Sequence, residues 1–110
     1  MGVGFIRDKL EIKFLILYIT ARVIEPIPFD TVWDLAMCDE GVDYFDFAEC
    51  LSDLVRTEHL TLSADGLYAI TDKGREATRI FEKQLPYPVR EAAQRSALRV
   101  VRQIRRDAAI

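Results

Sequence analysis

The chain has 110 residues, a net charge of −3, 50% apolar residues and 30% charged ones. That is the length of one domain with enough apolar content for a core, which excludes bulk disorder, and five Gly with four Pro exclude collagen-like and low-complexity chains. The longest unbroken apolar run, residues 14–19, has six residues, against the roughly 17–25 of a membrane-spanning helix.

Residues 9–24 read as a first helix, with Leu10, Phe14, Leu17, Tyr18, Ala21 and Ile24 at helical spacing. Ile12, Leu15, Ile16 and Ile19 add apolar groups on the other side, so this helix is expected to be buried on more than one face. A tail helix or another subunit could supply the second surface. Pro26 and Pro28 end it. Residues 30–38 read as a second helix with Asp30 as N-cap and Val32, Leu35 and Ala36 inward. Trp33 falls off that stripe and is expected at the rim. Gly41 is expected to close the helix in the left-handed conformation.

Residues 44–57 read as a third helix capped by Asp43, with Asp46 completing a capping box. Tyr44, Phe47, Ala48, Leu51, Leu54 and Val55 form its apolar stripe, and the opposite face carries Asp46, Glu49, Cys50 and Asp53. Residues 60–63 and 67–70 are β-type runs around Asp65-Gly66, a strong hairpin signal. Thr71 caps a fourth helix that is expected to reach Gln84 with Ala77, Ile80 and Phe81 inward. Gly74 in its first turn implies close packing against a neighbour. After Pro86 and Pro88 a fifth helix starts near Val89. Its stripe of Val89, Ala93, Ala97, Val100, Ile104 and Ala108 is close to a heptad repeat. With Phe14 and Leu17 of the first helix, these residues are the expected dimer interface; docking within one chain fits them equally well.

Three helices, a hairpin and a fourth helix make the order of a winged helix-turn-helix, an α+β class that is mostly α. The expected organisation is a winged helix-turn-helix domain over 9–84, with its two-stranded wing. A proline break and an extra C-terminal amphipathic dimerisation helix follow over 85–110.

Several segments carry a resemblance. They are Lys13-Phe14-Leu15-Ile16-Leu17-Tyr18-Ile19, Asp43-Tyr44-Phe45-Asp46-Phe47 with Leu51-Ser52-Asp53-Leu54, and Tyr68-Ala69-Ile70-Thr71-Asp72-Lys73-Gly74. Phe81-Glu82, Leu85-Pro86 and Val89-Arg90-Glu91 continue it. Through them the chain resembles an uncharacterised bacterial family, catalogued as a domain of unknown function, of winged-helix transcriptional regulators akin to the phenolic-acid-repressor type. The resemblance covers most of residues 10–95. It implies a dimeric DNA-binding regulator, and longer members with a small β-rich domain; the chain is then a truncated or a short member.

Charge is unevenly distributed. Residues 24–54 hold nine acids and no Lys or Arg, whereas residues 90–110 hold six Arg against Glu91 and Asp107. DNA recognition needs cations for phosphates, and the candidates are Arg56, Lys73, Arg75 and Arg79. Asp46, Glu49 and Asp53 oppose phosphate and form an acidic face for a basic protein partner. A DNA-binding homodimeric regulator is therefore the first expectation, and a winged-helix interaction module that does not bind DNA is the alternative. Tyr44, Phe45 and Phe47 are expected to divide between core and rim. No nucleophile–base set, phosphate-cradling Gly loop or zinc spacing occurs, so neither an enzyme nor a cofactor or metal protein is expected. Cys38 and Cys50 read as reduced structural thiols. No secretion signal is evident, and the expected location is cytoplasmic.

Overall fold

The computed structural model describes residues 4–108. Helix α1 (Lys9–Val23) is the centre of the molecule. Asp8 caps it, its carboxylate accepting from the Glu11 N–H at 2.9 Å. Its buried side chains, Ile12, Leu15, Ile16, Leu17, Tyr18, Ile19 and Val23, run almost all the way round. The expectation of burial on more than one face holds, yet the stripe differs. Leu10 and Ile24 are exposed and Phe14 is only half-buried. A helix enclosed on several sides has no single inward stripe to read.

The helix stops one residue early. Ile24 takes φ 72° and ψ −52°, and the Glu25 N–H donates to the Val23 carbonyl at 2.8 Å. This is a positive-φ γ-turn, a rare and strained conformation for a β-branched residue.

The turn feeds a strand the sequence did not announce, β1 (Ile27–Pro28). Two prolines marked the segment as a helix break, but a proline tolerates the edge of a sheet. Helix α2 (Phe29–Ala36) begins directly after it. The expected Asp30 cap is therefore a correction: Pro28 is the N-cap and no side chain caps the helix. Leaving a strand, the chain is already helical at Phe29.

Gly41 is a second correction. It is not among the positive-φ residues; its smallness serves a close crossing, since a Cβ there would lie 2.4 Å from the Ile6 carbonyl oxygen. Asp39, buried, accepts from the N–H groups of Phe5 (2.8 Å), Ile6 (3.0 Å) and Gly41 (2.9 Å), and so straps the N-terminal segment to the loop after α2.

Helix α3 (Tyr44–Arg56) is capped by Asp43, which accepts from the Asp46 N–H at 3.0 Å. It ends in a left-handed turn at Glu58 (φ 66°), with His59 N–H donating to the Leu54 carbonyl at 2.9 Å and Glu58 N–H to that of Val55 at 3.0 Å. That is a Schellman closure built on Glu rather than Gly.

Strands β2 (Leu60–Leu62) and β3 (Leu67–Ile70) form the expected hairpin, with Gly66 at φ 80° in the turn. The sheet is antiparallel in the order β1-β3-β2, with Ile27 opposite Tyr68 and Leu60 opposite Ile70.

Helix α4 (Asp72–Phe81) is capped by Thr71, which accepts from the Gly74 N–H at 3.0 Å and donates to the Glu58 carbonyl at 2.7 Å. A Cβ on Gly74 would stand 2.3 Å from the His59 carbonyl oxygen, the close packing that the sequence implied. The helix tightens into a 3-10 turn over Glu82–Gln84, and Ile80, expected inward, is exposed. Phe81 stacks on Phe14 with ring centroids 5.0 Å apart.

Helix α5 (Tyr87–Ala108) starts two residues earlier than expected and lies along α1. Pro88 sits in its first turn, where a missing N–H costs nothing. Of the two courses open to the stripe read as a dimer seam, the chain shows docking along its own first helix. Val89, Ala93, Ala97 and Val100, like Leu17, are buried within the single chain, and Ile104 and Phe14 pack half-buried against the same core. Small side chains let α5 approach α1 closely, so this stripe is consumed by intramolecular packing. No helix is long and apolar enough to cross a membrane among the described residues.

Candidate functional site

The outward row of α3 is Phe45, Glu49, Ser52 and Arg56, all exposed. Cys50, expected on this side with the acids, points inward instead. It is fully buried, and its Sγ lies 3.4 Å from the Lys9 carbonyl oxygen. Burial pushes the Cys50 thiol up to about 11, and it does the same to half-buried Cys38.

Glu49 and Asp53 do not stand alone. Lys9 Nζ lies 3.0 Å from Glu49 Oε1, and Lys13 Nζ lies 3.5 Å from Asp53 Oδ2. Arg56 adds a 2.9 Å bond to the other Asp53 oxygen. The Arg56 bond, assisted by Lys13, holds the Asp53 carboxyl below its ordinary value, and Glu49 raises Lys9. Two of the three acids of that face are thus paired, Glu49 with Lys9 and Asp53 with both Lys13 and Arg56, while Asp46 has no ion pair among the described residues. The sequence held one signal for this: two lysines four apart on the first helix, two acids four apart on the third. One helical turn on each side brings both pairs into register.

The four candidate DNA-binding cations fall into two groups. Lys73 Nζ donates to the Thr57 carbonyl at 2.8 Å, at the C-terminal end of α3 where the dipole favours a cation, and Arg56 stands on that same end. Arg75 and Arg79 pair along α4 itself, with Asp72 at 3.2 Å and Glu76 at 3.4 Å. His59, between the two helices, bonds Thr57 Oγ1 through Nδ1 at 2.8 Å. Burial, with Lys73 and Lys13 nearby, lowers its pKa from the ordinary value.

At the N-terminal end of α3 the rings of Phe29, Trp33, Tyr44, Phe45 and Phe47 form a continuous cluster. Trp33 meets Tyr44 edge-on at 5.1 Å and Phe47 at 5.0 Å, and Tyr44 meets Phe45 at 5.5 Å. Phe47 is fully buried, Trp33 half-buried and Phe45 79% exposed. Phe47 lies in the core and Trp33 at the rim as expected, but Tyr44, expected on the inward stripe, is exposed together with Phe45, and Phe29 joins the cluster. Among the described residues, no three His, Cys, Asp or Glu side chains are grouped as metal ligands would be.

No curated protein and no solved structure matches the chain. A family model does, over residues 12–110, from within α1 to the end of the chain. The arrangement described above, from the core helix α1 to the tail helix α5, is thus almost wholly within the match, and the chain belongs to the family described as a domain of unknown function, DUF4364.

Proposed function

We propose that this chain is the winged-helix domain of a transcriptional regulator that binds DNA as a homodimer. The element order α1-β1-α2-α3-β2-β3 with sheet order β1-β3-β2 carries it. Helices α2 and α3 then form the helix-turn-helix, α3 is the recognition helix, and β2 and β3 are the wing. The lysine pairing supports DNA contact, because a face with Glu49 and Asp53 paired opposes phosphate less than three free acids do. Arg56 and Lys73, with Arg75 and Arg79 on α4, would meet phosphates, and exposed Phe45 offers an apolar contact for a thymine methyl group.

Fluorescence anisotropy on the DNA upstream of the protein's own coding region tests this. Binding should weaken steeply with salt, and more weakly so after Arg75→Glu with Arg79→Glu. Absence of binding at low salt would sink it.

The exposed aromatic corner favours one other function, a winged-helix interaction module. Met37, Tyr44 and Phe45 are exposed beside Glu40, Asp43 and Asp46, a surface fitted to a basic protein segment rather than to phosphate. Phe45→Ala would then abolish partner capture in a protein that never bound DNA.

A further inference from the structure

We propose that two copies of this chain pair antiparallel through the outer edge of α5, with Leu98 at the two-fold axis and Glu91 of each copy opposite Arg105 of the other. This rests on the dimeric part of the proposed function and not on DNA binding.

One stripe of α5 is used up against α1. A second lies beside it. Tyr87, Glu91, Gln94, Leu98, Val101 and Arg105 follow one another at spacings of 4, 3, 4, 3 and 4 residues, the heptad rhythm of a helix–helix seam. Leu98, 50% exposed, is a large apolar side chain on this edge, and Tyr87, 65% exposed, carries the Arg90 guanidinium 5.7 Å from its ring centre. Beside Leu98 the γ-turn at the end of α1 holds Ile24 outward, 67% exposed. Between Ile24 and the α5 edge runs an open groove of about 600 Å³, walled by Leu98, Val101 and Ile104 and flanked by Arg22 and Arg105. An unusual backbone conformation that presents an apolar side chain to an apolar groove is the arrangement of a contact surface rather than of a solvated one.

Charge selects a second copy as occupant and fixes its direction. Glu91 and Arg105 each stand seven residues from Leu98, two turns away on opposite sides. A two-fold axis at Leu98 that reverses the partner helix brings Glu91 over Arg105 twice, and Gln94 over Arg102. A parallel pairing would set Arg105 on Arg105 and Glu91 on Glu91. An isologous contact must be self-complementary, and only the antiparallel arrangement satisfies that here. Glu91 already holds Arg95 at 3.2 Å in its own chain, which keeps its side chain along the helix edge where a second guanidinium would reach it.

The test is the mass of the whole chain by size-exclusion chromatography with light scattering, followed by the dissociation constant by dilution. Wild type should run at twice the 12.6 kDa chain mass. Leu98→Glu should run as a monomer with unchanged helical circular dichroism and melting, because Leu98 is no part of the core. Arg105→Glu alone and Glu91→Arg alone should each weaken the dimer about tenfold or more, since each is felt twice across the axis. The two together should restore it. A monomeric wild type, a dimer indifferent to Leu98→Glu, or a charge swap that fails to restore pairing would overturn the proposal. DNA binding is read separately, so a DNA-free dimer and a DNA-binding monomer are distinct results.

Discussion

Lys9 Nζ lies 3.0 Å from Glu49 Oε1, so that α1, the core helix, sets a cation against an acid of the outer face of α3 across forty positions of sequence. With both side chains more than half exposed, the pair contributes little to stability. Its consequence is electrostatic. Lys9→Glu with Lys13→Glu should leave the melting temperature within a few degrees of wild type, while DNA affinity at low salt falls at least about tenfold. Anisotropy beside thermal unfolding checks both halves. A loss of fold would remove the basis for this assignment.

Asp53 reports on the same face. Its carboxyl is held low by Arg56 first and by Lys13 second, so the stabilisation it contributes is present above the ordinary carboxylate range and is lost as pH falls through its lowered value. Arg56→Gln should bring its titration, followed by carboxyl NMR, back toward the ordinary value. Lys13→Ala should do so by less.

His59 acts in the opposite direction to a paired histidine. Burial and two nearby lysines favour its neutral form, so below about pH 6.5 the unfolded chain binds a proton that the folded chain resists. Stability should therefore fall between pH 7 and pH 5. In His59→Gln the fall should be smaller. Urea unfolding of both proteins at the two pH values measures it, and equal slopes would refute the assignment.

Gly74 and Glu58 should respond oppositely to substitution. At Gly74 a Cβ would meet the His59 carbonyl oxygen at 2.3 Å, so Gly74→Ala should cost about 1–3 kcal/mol, the range of forced overpacking. Glu58 sits at φ 66°, a conformation that costs a residue with a Cβ about 1 kcal/mol and glycine nothing. Glu58→Gly should accordingly stabilise the protein by up to that amount. Chemical denaturation with unchanged m-values checks both.

Removal of residues 89–110 should yield an insoluble or unfolded chain. Val89, Ala93, Ala97 and Val100 lie on the core around α1, and without them the buried apolar surface of α1 meets water. A soluble, cooperatively folding truncation would show instead that α5 is an accessory.

Local chemistry was legible in the chain. Asp43 and Thr71 as caps, Asp65-Gly66 as the hairpin turn, Gly74 as a point of close contact and Phe47 as a core ring all depend on neighbours within a few residues. Strand β1 was not legible, because Ile27 and Pro28 become a strand only by pairing with Tyr68 and Leu67. The Asp30 cap failed for the same reason, since β1 delivers the chain to α2 already at Phe29.

By itself, then, the sequence determined the helices, the hairpin, the apolar stripe of α5 and an excess of acid in residues 24–54. Only the tertiary structure decided what those features face. It laid the α5 stripe along α1, buried Cys50, and set Lys9 and Lys13 beside Glu49 and Asp53. Periodicity records which residues share a side of a helix. What that side meets depends on how helices forty or more residues apart come to lie together, and no local pattern contains that.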